Sequence, residues 1–196
     1  MESTKIKEQL LSALKTGFID ENHLSNPEYV PEILINDQSR NKKVLSTIHR
    51  ELSECDNFII SAAFLTMSGF ASMSNKLYEL REKGVKGKIL VSQYLNFTEP
   101  EALKRLLDFD NISSKIVTED DFHSKGFLFK KGNYYTLIIG SSNLTAKALS
   151  TNQEWNLKVR AHKDSELIKS FQNEFHLAFK KAVDITDEYI SEYAAI

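Results

Sequence analysis

The sequence is poor in cysteine and has no long apolar run. Its 196 residues include one cysteine, Cys55, which excludes an internal disulfide and fits a reducing cytoplasm. Cys55 falls at an apolar position of a predicted helix, so we expect a core residue rather than a reactive thiol. No apolar stretch reaches membrane-spanning length, and the polar N-terminus has no signal-peptide core. These absences predict a cytoplasmic protein that does not span a membrane.

Charge of either sign is not in surplus. Lysine and arginine number 25 against 27 aspartate and glutamate, so no global field attracts nucleic acid, although a local basic groove is compatible with this balance. Signatures of metals and cofactors are also missing. The chain has no Walker A sequence, no Cys/His cluster and no H-E-x-x-H spacing, so the sequence predicts no ATP hydrolysis, no cofactor and no metal site.

What the sequence does contain is an alternation of strand-like and helix-like segments. Strands are predicted at 58–64, 88–92, 112–117, 121–129, 134–139 and 154–161, and helices at 44–55, 70–80, 99–107, 144–149, 165–179 and 185–193. The last of these strands should keep its polar face wet. An N-terminal amphipathic helix and an irregular surface segment at 20–40 precede them. This order predicts an α/β fold, a mixed β-sheet with helices on both faces.

Residues suited to phosphate chemistry cluster in one stretch, 121–155. Its first strand alternates, so His123 and Lys125 should point the same way, together with Phe127 and Phe129. The returning strand of the hairpin ends in small polar residues that can present hydroxyls, an amide and backbone N–H groups to an anion: Gly140, Ser141, Ser142 and Asn143. A carboxylate at Glu154 begins the next strand and can point toward the same place.

These side chains predict a site for a phosphoryl group. His123 would be the nucleophile or the acid, because an imidazole nitrogen that attacks phosphorus gives a phosphohistidine. Donors must then neutralise the charge on the phosphoryl oxygens, and Glu154 can orient the imidazole. The predicted catalytic residues are His123, Lys125, Asn143 and Glu154, and the predicted substrate-binding residues are Lys125, Ser141, Ser142 and Asn143.

Simpler structural roles fit several neighbouring residues. Ser142 is as well suited to a turn as to a ligand. Trp155 falls on an alternating apolar position, which predicts a core residue rather than a base-stacking platform. The remaining histidines are predicted to be packed or solvated: His23, His49, His162 and His176.

The motif residues also carry a resemblance to a known family. His123-x-Lys125 followed by Gly140-Ser141-x-Asn143 resembles the HxK…GSxN signature of the phospholipase D superfamily, in which an acidic residue is common at the place of Glu154. The stretches 57–66, 87–100 and 140–156 resemble the N-terminal phospholipase D-like domain of bacterial DEAD/DEAH-type helicase proteins. The resemblance covers roughly 22–193. One position departs from the signature, since Lys130 stands where an Asp is usual.

The resemblance implies a phospholipase D-like α/β/α sandwich and a metal-independent phosphodiesterase. In the superfamily two signatures meet across a twofold axis, one His attacking phosphorus and the other protonating the leaving oxygen. This chain has one signature, so the resemblance implies a homodimer with one composite site. The helicase association implies a nuclease acting on DNA. It also implies three parts: an N-terminal helix and irregular surface segment (1–40), the phospholipase D-like domain (41–183), and a C-terminal helix or linker toward a helicase portion (184–196).

Two other functions remain compatible with the sequence. The first is a non-catalytic nucleic-acid-binding or dimerisation module that keeps the phosphate pocket. The second is a lipid phosphodiesterase, which is disfavoured because no basic amphipathic or lipid-anchoring segment stands out. Cleavage in EDTA that disappears in His123→Ala would separate the enzyme from the module, and liposome binding would test the lipid hypothesis.

Overall fold

The structure, a computed structural model, describes residues 4–5, 30–119 and 122–195. Apart from residues 4–5, the predicted N-terminal helix lies outside these ranges. In chain order the elements are β1 (Glu32–Leu34), α1 (Val44–Glu54), β2 (Asn57–Ser61), α2 (Met67–Glu82), β3 (Lys86–Ser92), a 3₁₀ turn (Tyr94–Asn96), α3 (Pro100–Leu106), β4 (Ile112–Val117), β5 (Gly126–Lys131), β6 (Tyr134–Gly140), α4 (Ala146–Ser150), β7 (Asn156–His162), α5 (Glu166–Lys181), β8 (Val183–Asp184) and α6 (Asp187–Tyr193).

The described strands form one eight-stranded sheet in the order β1-β7-β6-β5-β2-β3-β4-β8. Helices α2 and α3 cross over between successive strands, so β2, β3 and β4 run parallel. The tight turn at Gly132, where φ is +58°, folds β5 and β6 into an antiparallel hairpin. The remaining pairs are antiparallel. The mixed sheet expected from the alternating pattern is confirmed.

Helix starts follow the local sequence. The Thr66 hydroxyl accepts a hydrogen bond from Gly69 N (3.1 Å) at the start of α2, and Ser165 does the same for Ile168 N (3.4 Å) in α5. Pro100 occupies the first turn of α3, where its missing N–H removes no helical bond. These caps place the helix boundaries near those that the sequence predicts.

Helices cover both faces of the sheet. Side chains from α1, α2, α3 and α6 pack on one face in the largest core cluster, which includes Phe127 and Phe129 of β5. Leu128 points to the opposite face and packs against Ile168 and Phe171 of α5. The predicted helices-on-both-faces architecture is therefore confirmed. Within the residues described, no helix has the length and apolar character that a bilayer crossing needs.

Three local features refine the sequence predictions. The segment expected to be irregular at 20–40 contains β1, which pairs with β7 at the sheet edge; a three-residue strand is too short to show a periodic pattern. Cys55 is buried as predicted, and burial raises the pKa of its thiol to about 11. Strand β7 departs from the expected polarity at its start: Asn156 is buried and Lys158 pairs with Glu32, whereas Leu157 is exposed. Further along the strand Val159 and Ala161 pack against the core, as predicted.

Candidate active site

The candidate site lies at the carboxyl end of the parallel strands β2 and β3. His123, Ser124 and Lys125 immediately precede β5 and line an open cavity of about 540 Å³. Helix α5 forms the opposite wall through Phe171 and Phe175. The carboxyl edge of parallel strands is where α/β sheets usually bind ligands, because loops there can project side chains without disturbing the core. Both the position of the cavity in the fold and its volume therefore suit substrate binding.

The floor of the cavity is a single row of residues across the sheet. Leu90, Ser61, Gly126 and Ile139 stand opposite one another on β3, β2, β5 and β6, and all four line the cavity. A Cβ atom at position 126 would lie 2.6 Å from Cε2 of Phe171, so any other residue there would displace the Phe171 ring. Because residue 126 has no side chain, Phe171 of α5 packs directly against the backbone of β5 at this position.

His123 is exposed at the mouth of the cavity, with its ring centroid 5.2 Å from that of Tyr94. Tyr94 begins a tight turn in which Leu95 and Asn96 both have positive φ, 52° and 56°. The strand predicted from residue 121 begins only at Gly126. The expected alternation is therefore wrong for 123–125: Ser124, predicted to face away from His123, lines the same cavity.

Lys125 is half-buried beside His123. Its Nζ donates a hydrogen bond to the His123 carbonyl oxygen (2.7 Å), which leaves two N–H donors for a ligand. Burial lowers the pKa of Lys125, while the nearby negative charge of Glu154 opposes that shift. The ammonium is thus held in place at a site that is partly shielded from water, where it interacts more strongly with an anion.

Glu154 and Ser141 form a pair next to Lys125. The Ser141 hydroxyl donates a short hydrogen bond to Glu154 Oε2 and accepts one from Trp155 N (3.1 Å). Among the described residues Glu154 makes no hydrogen bond or ion pair with His123, although it was predicted to orient that imidazole. Within one chain, Glu154 therefore fixes the Ser141 hydroxyl and supports the charge of Lys125.

Asn143 joins the motif to the end of β2. Its Oδ1 accepts hydrogen bonds from Ala63 N (3.0 Å) and Phe64 N (3.4 Å), so the side chain is held firmly. The Nδ2 group makes no hydrogen bond with any described residue. An amide held through its oxygen can present its N–H₂ to a phosphoryl oxygen without losing further conformational freedom.

Two predicted roles near the motif are wrong. Ser142 is fully buried: its hydroxyl accepts from Asn156 Nδ2 (2.9 Å) and donates to Ala148 O (3.4 Å), so it is not available to a substrate. Trp155, predicted as a core residue, is 77% exposed and lines a second cavity together with Glu154. Trp155 lies one residue before β7, and Leu157, the next apolar position of the alternating pattern, is exposed as well, so the core does not extend to this end of the strand.

The departure from the signature at Lys130 lies away from the cavity. Lys130 is near the far end of β5, opposite Asn57 and Tyr135, roughly 16 Å along the strand from Lys125. Lys130 does not line the cavity that His123 and Lys125 share. An acidic residue at position 130 would therefore not touch a ligand bound there.

Other cavity residues were not found from the sequence. Ser61 of β2 and Glu174 of α5 line the cavity, and Tyr94 contacts the His123 ring beside it. None of the three belongs to the HxK…GSxN motif. The other described histidines lie elsewhere: His49 bonds to Ser72 O (2.8 Å). Among the residues that the structure describes, no three His, Cys, Asp or Glu side chains are grouped so as to hold a metal ion.

Fold and site together define an α/β sandwich with a histidine–lysine pocket at one end of its sheet. The family model described as "Cardiolipin synthase, PLD-like domain" matches residues 48–178. The chain belongs to this phospholipase D-like family. No curated protein sequence matches it.

Solved structures share the fold at low sequence identity. Nuc, a phospholipase D family member from Salmonella typhimurium, has a TM-score of 0.61 and 17% identity, covering 79% of this chain and 97% of that one. NucT from Helicobacter pylori has a TM-score of 0.61 and 16% identity, and the match covers 80% of this chain and 99% of NucT. Phosphatidylserine synthase from Haemophilus influenzae Rd KW20 has a TM-score of 0.63 and 14% identity, and the match covers 82% of this chain and 41% of the synthase. At these identities the likeness concerns the fold alone.

Proposed function

We propose that this protein is a metal-independent phosphodiesterase that cleaves DNA through a phosphohistidine intermediate. The observation that carries the proposal is that His123 and Lys125 line one open cavity at the carboxyl end of β2 and β3. An imidazole beside a fixed ammonium supplies a nucleophile and a charge partner for phosphorus chemistry. Membership of the phospholipase D-like family supports the same reaction class.

The proposed reaction has two steps. An imidazole nitrogen of His123 attacks phosphorus, a P–N bond forms, and the P–O bond to one nucleotide breaks as that oxygen takes a proton from a general acid. Water then gives its proton to the same group, now a base, and attacks phosphorus to release the imidazole. Lys125 and Asn143 stabilise the charge on the phosphoryl oxygens, because their donors are fixed before the substrate arrives.

The acid and base would be His123 of a second subunit. Among the described residues no other imidazole lines the cavity, and one His123 cannot hold phosphorus and protonate the leaving oxygen together. A homodimer with one composite site provides the second imidazole. Glu154, which makes no hydrogen bond or ion pair with His123 of its own chain, would then act on the opposing subunit's imidazole.

The DNA substrate and a helicase association rest on sequence resemblance. The stretches 57–66, 87–100 and 140–156 resemble the phospholipase D-like domain that precedes a helicase in certain bacterial proteins. The chain has no Walker A sequence, so in this proposal a helicase portion would supply ATP hydrolysis and DNA translocation. The nearly neutral net charge of −2 requires local rather than global attraction of the phosphate backbone.

A lipid phosphodiester is the second candidate substrate. The matching family model is described as cardiolipin synthase, and one structure with this fold is a phosphatidylserine synthase. A non-catalytic nucleic-acid-binding module is the third candidate, and the assays must distinguish it from the two enzymes.

The test is a cleavage assay in EDTA on single-stranded DNA, double-stranded DNA, RNA and a phospholipid diester in mixed micelles. We expect cleavage of DNA without added metal, since imidazole, ammonium and amide groups provide the nucleophile and the charge stabilisation. Cleavage of the lipid alone would reassign the substrate. DNA binding without turnover of any diester would identify a binding module and overturn the proposal.

The alkaline limit of activity should reflect Lys125. Because burial lowers the pKa of Lys125 from 10.5, its ammonium is lost at a lower pH than that of an exposed lysine. We expect kcat/KM to fall as the pH rises through this lowered pKa, and Lys125→Arg to keep whatever activity it retains to higher pH, since guanidinium stays charged. The measurement is a pH profile of kcat/KM. If kcat/KM of wild type and of Lys125→Arg fell at the same alkaline pH, Lys125 would not be the group that binds the anion.

A further inference from the structure

An exposed apolar row continues the floor of the cavity. The cross-strand row that contains Gly126 and Ile139 extends to Leu157 on β7 and Ile33 on β1, each directly opposite its neighbour. Ile139, Leu157 and Ile33 are 43%, 44% and 62% exposed. We call these three residues the apolar row. Because Ile139 also lines the cavity, the apolar row begins at the candidate active site.

The side chains at the start of β7 show that the apolar row does not lie on an ordinary solvent-exposed sheet face. An exposed antiparallel face normally carries polar side chains, with apolar ones turned to the core. Here Lys158 turns to the opposite face and pairs with Glu32 (2.8 Å), while Leu157 faces out. Helix α5 covers the adjacent part of this face through Ile168 and Phe171 but leaves the apolar row open.

A second copy of this chain is the occupant that the observations favour. The cations of β7 point away from the apolar row, so the row offers no charge to a phosphate backbone. A protein surface of the same apolar character can cover it, and a twofold axis needs only a self-complementary patch. A copy docked there would also lie against the cavity, where a second imidazole is missing.

We infer that the apolar row is the central contact of the homodimer, which brings the two copies of His123 to one cavity. This inference rests on the proposed composite site and names the surface that forms it. Burial of three aliphatic side chains per subunit removes apolar area from water, which is the main driving force for association. The row thereby couples dimer formation to completion of the active site.

The test uses two exposed leucines as a matched pair. Leu157 and Leu107 are 44% and 41% exposed, but Leu107 follows α3 on the opposite side of the sheet. We compare wild type, Leu157→Arg and Leu107→Arg by sedimentation velocity over a range of concentrations. Wild type and Leu107→Arg are expected to be dimers, and Leu157→Arg a monomer, because two arginines would face each other across the interface. Ile33→Arg, at the exposed edge strand, is a second variant with the same expected result.

Each outcome has a distinct meaning. If wild type and both apolar-row variants are dimers, the apolar row is not the interface, and the inference is overturned while a composite site elsewhere stands. If wild type is a monomer that cleaves DNA in EDTA, the inference and the second-subunit acid both fail, but the phosphodiesterase remains. Thermal melting identifies a variant that is monomeric only because it is unfolded. In that case the oligomeric state of the other apolar-row variant decides whether the apolar row is the interface.

Discussion

Replacement of His123 by alanine is expected to lower kcat for phosphodiester hydrolysis by roughly 10⁴-fold, since it removes both the nucleophile and the general acid. His123 is exposed, and among the described residues its side chain is recorded only in a ring contact with Tyr94, so the fold should be unaffected. His176→Ala, an exposed histidine on α5, is the matched control and should be fully active. The measurement is kcat in EDTA, together with acid-quenched trapping of a labelled phosphoenzyme, which only proteins that contain His123 should form.

A mixing experiment shows whether one active site uses both copies of His123. When equal amounts of wild type and His123→Ala are denatured and refolded together, about a quarter of the dimers should contain two His123 residues if subunits pair at random. A composite site predicts activity near that fraction of an all-wild-type sample. Activity near one half would mean that each subunit works independently, and the second subunit's imidazole would then have no catalytic role.

Gly69→Ala should strongly destabilise the protein, although alanine normally stabilises a helix by about 1 kcal/mol relative to glycine. A Cβ at position 69 would lie 1.8 Å from the Leu144 carbonyl oxygen and 2.8 Å from Thr145 N. Both neighbours are backbone atoms, so α2 must move away from the motif loop. We expect a loss of about 3 kcal/mol in the free energy of unfolding, measured by urea denaturation.

The same substitution should impair the site. Leu144 directly follows Asn143, and its carbonyl accepts a hydrogen bond from Thr66 N (3.1 Å) at the end of the β2–α2 connection. Gly84→Ala is the control, because no atom lies within 4 Å of its Cβ and only its positive φ of +67° opposes alanine, at about 1 kcal/mol. If Gly69→Ala were as stable as wild type, the close packing of α2 on the motif loop would be wrong.

Part of the site could be predicted because its residues are near one another in sequence. The hairpin 121–139 and the Gly140–Asn143 turn are local features, so the sequence alone predicts that His123, Lys125 and Asn143 lie at one end of the sheet. The orientation of residues 123–125 is not predictable in this way, because the alternating sequence pattern continues through residues that precede β5 in the structure. Glu154 was expected to bond to the imidazole, and its contact with Ser141 emerged only from the folded geometry.

Local periodicity and turn residues are sufficient for β2 to β7, for α1 to α6, for the mixed sheet and for the burial of Cys55, since those depend on neighbours a few positions away. The short edge strands β1 and β8 leave no such pattern. Contacts between distant segments decided the rest. Ser142 is buried because Asn156 and Ala148 reach it from β7 and α4. Trp155 is exposed because no other part of the described structure covers the start of β7. The exposure of Leu157 likewise depends on where α5 stops covering the sheet, which no pattern within a single strand records.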